Sequence, residues 1–333
     1  MKKSNAVFLL LLIVGLIYFF HCNFRLSPIE HSKDDTQNWT IDEKILYRPQ
    51  DLVAVTAYFE GEKVSKLVLV DFYNIKNYKI ISDTTMFPRL PRFSRDKRKI
   101  LFCDYRHHVY DYGTGLTLYD IVNETFQILY DQSGESVVCY EIPPVWNYDD
   151  SGFFTSSYMG SIKYYRIEDQ YISLISRGFP IGLKGQDILI AFASSEVEPI
   201  KPPGYWLLDS EGNFISKIEN TYLKVTKENL NWNDKLGFFI YAEYYSTTRG
   251  YKISVTDLYG NYYKSYTSGC YNDKYPVWGP EGKYILFDRM NPPTPREQFP
   301  HKIMIINLET GKVRDFLKPG DIPGTISIRY PDF

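Results

Sequence analysis

Clustered positive charge, histidine, cysteine and the common catalytic signatures are all scarce in this chain. Its 333 residues carry 38 Lys plus Arg against 40 Asp plus Glu, a formal net charge of −2, whereas affinity for a phosphate backbone comes mainly from clustered cations. Nucleic acid is therefore not an expected partner. Only 5 His and 4 Cys are present. There is no His-Glu-x-x-His, no Cys-x-x-Cys and no Gly-x-Ser-x-Gly, and Gly113-Thr114-Gly115 lacks the third glycine of a dinucleotide loop. The usual zinc, thiol-redox, serine-hydrolase and nucleotide-binding classes drop out, and no cofactor is expected. What the chain does have is aromatic surface, with 30 Tyr and 21 Phe against 5 Trp. Together with Ile, Val and Thr these residues suit pleated, half-buried surfaces, which favours an all-β protein.

The amino terminus reads as an address. Lys2 and Lys3 precede an uninterrupted run of apolar or Gly residues from Ala6 to Phe20, the charge order of a segment that enters a membrane from the cytoplasm. Residues 1–22 are thus expected to form a membrane-targeting helix, either a signal anchor or a signal peptide. Cleavage requires small residues before the cut, and Phe19, Phe20, His21 and Cys22 are bulky, which favours the uncleaved anchor and disfavours a lipid-modified Cys22. Residues 23–46 are polar and read as a tether. The remainder is expected to be exported and membrane-anchored through residues 6–22, with the folded part on the periplasmic or extracellular side.

Internal repeats organise the rest of the chain. Pro91-Arg92-Phe93-Ser94-Arg95-Asp96 is matched by Pro144-Val145-Trp146-Asn147-Tyr148-Asp149, and again by Pro276-Val277-Trp278-Gly279-Pro280-Glu281; Asn231-Trp232-Asn233-Asp234 is a shorter copy. Each precedes an apolar run such as Tyr284-Ile285-Leu286-Phe287, and a second series of alternating hairpins runs in phase with the first. Weaker units at Leu52 to Tyr58 and Gly185 to Ala191 complete the pattern. The expected fold is all-β, a six-bladed β-propeller of four-stranded antiparallel blades after the targeting helix. Residues 47–333 form the propeller, with blades about 47–88, 89–140, 141–180, 181–226, 227–272 and 273–333. The last run, Thr325 to Tyr330, is expected to close the circle on residues 45–49.

Pro276 to Phe287, followed by Lys302-Ile-Met-Ile-Ile-Asn-Leu-Glu-Thr-Gly-Lys-Val313, resembles the WD40-like repeat of TolB-type six-bladed propellers. The resemblance implies architecture only, since such families include binding scaffolds, protease-associated propellers and some lyases.

Asp96, Asp149, Asp234 and Glu281 recur once per unit, which suits turn-capping acceptors better than an acid–base pair. Trp146, Trp232 and Trp278 are expected to pack between blades. If each first strand ends at its Asp turn, the long connections 104–115, 194–204, 244–250 and 288–301 gather at the opposite end of the ring, where function usually resides. The candidate ligand-binding face there comprises Asp104, Arg106, His107, His108, Glu243, Arg249, Asp288, Arg289 and His301. Its mixed charge and Tyr content suit non-catalytic binding of a protein or carbohydrate. The alternative is a propeller polysaccharide lyase or hydrolase with a metal or His-based site near the axis. No metal site is expected outright; its ligands would be His107, His108 and His301. Cys103 and Cys139 both belong at this end and are a candidate disulfide in an oxidising compartment, whereas Cys270, across the ring, is expected to be free.

Overall fold

Apolar runs broken by Asp-, Asn- and Gly-containing turns become strands and hairpins through most of the chain. The computed structural model describes residues 49–82, 86–109, 113–140, 142–157, 160–193, 203–223, 230–290 and 300–333, with only the backbone described for 106–109 and 113. The expected targeting helix and tether lie outside the described residues.

The first group of strands is β1 (Leu52–Phe59), β2 (Ser65–Asp71) and β3 (Tyr78–Ile80). The second is β4 (Pro88–Phe93), β5 (Lys99–Val109), β6 (Gly113–Asp120) and β7 (Thr125–Ile128), with β8 (Val138–Cys139) also paired to β6. The third is β9 (Val145–Trp146), β10 (Gly152–Ser156), β11 (Ser161–Arg166) and β12 (Ile172–Arg177). The fourth is β13 (Phe179–Lys184), β14 (Ile188–Ala193), β15 (Gly204–Leu208) and β16 (Phe214–Lys217). The fifth is β17 (Leu230–Asn233), β18 (Phe238–Tyr245), β19 (Gly250–Asp257) and β20 (Tyr263–Ser265). The sixth is β21 (Asn272–Trp278), β22 (Tyr284–Met290), β23 (His301–Asn307) and β24 (Val313–Leu317).

Each group is an antiparallel meander, and a single parallel pair, Tyr251 with Asn272, links the fifth to the sixth. The last strand, β25 (Thr325–Asp332), returns to β1. Thr56 faces Arg329 and Ala54 faces Asp332. The expected closure on residues 45–49 is therefore corrected. β1 is buried along nearly its whole length and β2 covers one edge, so its other edge needs a ladder partner.

Alternate residues of a strand point to opposite faces, and here both faces are buried between neighbouring groups. Val53 and Val55 pack with Leu286 and Ile303, while Leu52 and Ala54 pack with Ile100 and Phe102. Leu101 then meets Phe153, Ile162 meets Leu189, Phe192 meets Phe239, and Ile240 meets Ile285. The succession returns to its start, so the sheets form a ring, a β-propeller.

The repeated aromatics lock the innermost strands to one another. Trp146 Nε1 donates to the Arg92 carbonyl at 3.1 Å, and Trp232 Nε1 to that of Leu183 at 2.9 Å. Pro331-Asp332-Phe333 repeats the Pro-x-aromatic pattern for the first group, which had lacked it. The turn carboxylates are structural acceptors. Asp96 takes the Ser94 hydroxyl and the Arg98 N–H, Asp149 takes the Ser151 N–H, and Asp234 takes the Gly185 N–H of the preceding group. Glu281 pairs with Lys283.

Cys103 and Cys139 are disulfide-bonded, with Cα atoms 6.6 Å apart. Cys270, expected to be free, is also disulfide-bonded. The expectation failed because it weighed only the span across the ring to Cys139.

Candidate functional site

The turns between the first and second strands occupy one end of the ring, and the candidate residues were expected in loops at the other. Residues 104–115 are instead largely strand. β5 runs on to Val109 and β6 begins at Gly113, with His108 opposite Thr114. A register shift between Asp104 and His108 lets pairing continue through polar residues that read as loop. Arg106, His107 and His108 thus lie on the backbone of β5, and their side chains are outside the described residues.

Asp104 is fully buried rather than presented to solvent, and it accepts the Phe87 N–H at 3.1 Å as the chain enters β4. Asp288 and Arg289 are strand residues of β22, 1% and 8% exposed. Their side chains take opposite faces. Asp288 accepts from His301 Nδ1 at 2.7 Å and from Arg329 Nε at 3.4 Å. Arg289 holds Asp273 through two bonds of 2.7 and 2.8 Å, and its guanidinium lies 4.3 Å from the Tyr271 ring centre. Such paired forks are strong because both partners are charged and the geometry matches. Burial raises the Asp273 carboxyl above its usual range against the pull of Arg289. Burial opposes the charge on Arg329, but the Asp288 carboxylate together with the phenols of Tyr330, Tyr58 and Tyr275 holds that guanidinium above its usual value.

Glu243 is likewise committed. Lys252 Nζ lies 3.2 Å away and the Tyr263 hydroxyl donates to it at 2.9 Å. Burial would lower the Lys252 pKa, yet its bonds to Tyr263 and Glu243 leave it raised. Arg249 is exposed in the β18–β19 turn at φ 54°. At that hairpin tip Tyr244 and Tyr245 are 50% and 36% exposed. The candidate residues therefore do not form one cluster: Asp288 and His301 meet, Arg289 faces away, and Asp104, Glu243 and Arg249 belong to other groups. Among the described residues no three side chains converge to hold a metal ion.

Sequence reasoning missed Asp273, Arg329 and Arg89. A signal was present in the repeated order basic residue, any residue, Pro: Arg89-Leu90-Pro91, Lys274-Tyr275-Pro276 and Arg329-Tyr330-Pro331. Further along the same inner strands, a small recess with polar as well as apolar walls opens among residues of the second to sixth groups, including Arg92, Ile142, Pro180, Leu230, Asn231 and Tyr275. Residues from so many innermost strands can share a cavity only at the axis.

Solved structures share this architecture. TolB from Acinetobacter baumannii superposes with a TM-score of 0.63 at 12% identity, covering 84% of this chain and 66% of that one. A putative TolB from Agrobacterium tumefaciens gives 0.56 at 10% identity, covering 84% and 98%. A chain of a nidogen/laminin complex gives 0.55 at 8%, covering 85% and 98%. This chain thus spans about two thirds of the Acinetobacter protein. No family model matches the sequence, and no curated protein does. At these identities the shared property is the fold, a TolB-like β-propeller, as the repeat resemblance implied.

Proposed function

From a TolB-like fold, we propose that this protein is a non-catalytic binding scaffold that recognises a partner protein through the long-hairpin end of its ring. The ring is read as six blades, about 47–88, 89–140, 141–180, 181–226, 227–272 and 273–333, with β25 returned to the first. The scaffold is exported and tethered to a membrane through residues 6–22. One observation carries the binding role. Of the ionisable candidates described there, Asp104, Asp288, Arg289 and Glu243 are spent on internal bonds, whereas Arg249, Tyr244 and Tyr245 stand exposed together at the tip of a paired hairpin. Exposed Tyr on a rigid support is a common anchor of protein interfaces, and one structural neighbour belongs to a complex of two proteins. Carbohydrate is the competing ligand class, since Tyr rings also stack on sugars.

The test is affinity isolation on the full chain from solubilised envelope material, followed by direct titration of the purified partner and by a glycan array. A protein bound at least tenfold more weakly by Tyr244→Ala/Tyr245→Ala supports the reading. Binding to glycans alone, or to a protein indifferent to that substitution, overturns it.

The enzymatic reading rests on the His301–Asp288 bond of 2.7 Å, which orients an imidazole as an acid–base group requires. Stoichiometric metal in the purified protein, lost in His301→Ala and in His107→Ala or His108→Ala, together with cleavage of an acidic polysaccharide, would replace the scaffold reading with this one.

A further inference from the structure

Exposed tyrosine concentrates on the fifth group. Tyr244 and Tyr245 stand at its hairpin tip, and Tyr259 and Tyr262, 61% and 40% exposed, stand in the β19–β20 turn at the opposite end. Tyr222, 38% exposed, comes from the connection between β16 and β17 and lies against the same turn. Scattered exposed rings are ordinary, but the way Tyr222 is held is not.

Its ring lies flat on that of Tyr263, with centres 4.3 Å apart and planes within 10°, so one face is backed and the other looks outward. Asn220, 9% exposed, fixes the segment. Its amide donates to the Asp257 carbonyl at 2.7 Å and to the Thr256 hydroxyl at 3.2 Å, and its side-chain oxygen accepts the Tyr222 N–H at 2.9 Å. The turn closes over this clamp because residue 260 is glycine at φ 79°; a Cβ there would stand 3.0 Å from the Asn220 oxygen and 3.5 Å from the Tyr222 ring. Behind the ring, the Tyr263 hydroxyl donates to Glu243 at 2.9 Å, accepts from Lys252 at 3.0 Å and meets the Ser265 hydroxyl at 2.7 Å. A surface ordered in this way loses little freedom when a ligand lands on it.

The surroundings select the ligand. Lys252 is spent on Glu243 and Tyr263, and Lys264 lies over the Tyr266 ring on the other face of β20. Neither lysine of this flank is left for an anion. The Asp257 carboxylate accepts the N–H groups of Tyr259 and Asn261, and the exposed neighbours in the chain are Glu219, Thr221, Asn261 and Ser265. A protein hot spot is usually gripped in a desolvated pocket, whereas this ring stands open and level. A pyranose fits such a surface: its axial C–H groups form a flat, weakly positive face that complements the negative face of the ring. Its equatorial hydroxyls suit amide and hydroxyl partners around the edge.

We propose that this flank of the fifth group binds a neutral oligosaccharide, with Tyr222 as the platform for one pyranose, Tyr259 beside it for a neighbouring unit, and Thr221, Asn261 and Ser265 hydrogen-bonding the rim. β19, eight residues and about 26 Å long, separates Tyr259 from the Tyr244–Tyr245 tip. The sugar site is therefore distinct from the partner-protein face and does not rest on it.

Calorimetric titration of the full-length protein would use cellohexaose, xylohexaose, mannohexaose and N-acetylchitohexaose as neutral probes, hexagalacturonate as the acidic one, and acetyl-hexaproline amide as a peptide that also packs on tyrosine. At least one neutral hexamer should bind below millimolar concentration, and at least tenfold more tightly than hexagalacturonate. Tyr222→Ala should weaken that binding at least tenfold. Tyr222→Phe, which keeps the ring, should bind like the wild type, and Tyr244→Ala/Tyr245→Ala should leave the affinity unchanged. If Tyr222→Ala does not fold, Tyr222→Leu replaces it, and the neutral-over-acidic preference of the wild type must still hold. No neutral binding at millimolar concentration, preference for hexagalacturonate or hexaproline, unchanged affinity without the Tyr222 ring, or loss in the Tyr244/Tyr245 variant overturns the proposal. A partner protein that needs Tyr244 and Tyr245, with no sugar bound, refutes this inference and leaves the scaffold reading standing; a hexamer that needs Tyr222, with no partner protein, does the reverse.

Discussion

Asp332→Ala should weaken the fold far more than loss of any surface ion pair. Asp332 is 4% exposed and accepts from Arg92 Nη1 at 2.8 Å and from the Phe93 N–H at 2.7 Å, across the junction between the closing strand and the second group. Burial pushes its carboxyl above the usual range despite Arg92. The intact pair is therefore no large asset relative to an apolar one; the cost arises when one half is removed. Breaking a buried pair costs roughly 3–5 kcal/mol. Arg92 is 19% exposed and keeps a bond to the Pro91 carbonyl, which favours the low end. At about 2–4 °C per kcal/mol for a domain of this size, Tm should fall by roughly 6–12 °C. Asp315→Ala is the comparison, since its bond to Lys302 is 2.7 Å long but the two side chains are 43% and 28% exposed. Such a pair contributes about 0–1 kcal/mol. Arg92→Met/Asp332→Leu, which replaces both charges, should recover most of the loss. Thermal and urea melts of these variants decide the matter. An Asp332→Ala shift no larger than that of Asp315→Ala, or strict additivity of the Arg92 and Asp332 substitutions, would refute the reasoning.

Neighbouring residues give two further expected outcomes. Lys97 is half-buried against Phe333 and Phe93, donates to the Leu52 carbonyl, and has its pKa lowered by burial from 10.5 to about 7. Between those values the unfolded chain binds more protons, so this group makes stability rise with pH from 7 to 10.5, by at most ~1.4 kcal/mol per unit, and adds no slope below 7. Urea midpoints across pH 6.5–9.5 should lose that rise in Lys97→Met; an identical slope in the variant would disprove it. Trp232→Phe breaks the bond to Leu183 and should cost about 1 kcal/mol beyond the lost ring area, whereas Trp278→Phe should cost less because its buried indole N–H has no partner among the described residues. Equal losses in the two melts would contradict the assigned bonds.

Local chemistry explains what was legible in the sequence. Hairpin turns could be read because Asp120, Asp209 and Asp257 each accept backbone N–H groups within four residues, so their signal is contiguous. Phe93 and Trp146 were recognisable because the Pro-x-aromatic spacing is short. The closing strand was harder to place. Phe333 replaces the Trp, and its sheet begins at Leu52, at the far end of the chain. The site was least legible. Asp288 pairs with a residue 41 positions away and Arg92 with one 240 away, and no periodicity encodes such partners. Polar residues from Asp104 to His108 resembled a loop because composition does not register a bulge that keeps a hairpin paired.

The long-range ion pairs also explain why charge gathers on three of the sheets. β25 closes the ring onto a strand from the opposite end of the chain, and sliding by one residue would exchange its two faces. Apolar packing constrains that register only coarsely. Asp332 with Arg92 and Arg329 with Asp288 tie β25 to the second and sixth groups respectively, so a slip would strand charges on both sides at once. Buried pairs of this kind are poor sources of net stability but strong penalties against the wrong arrangement.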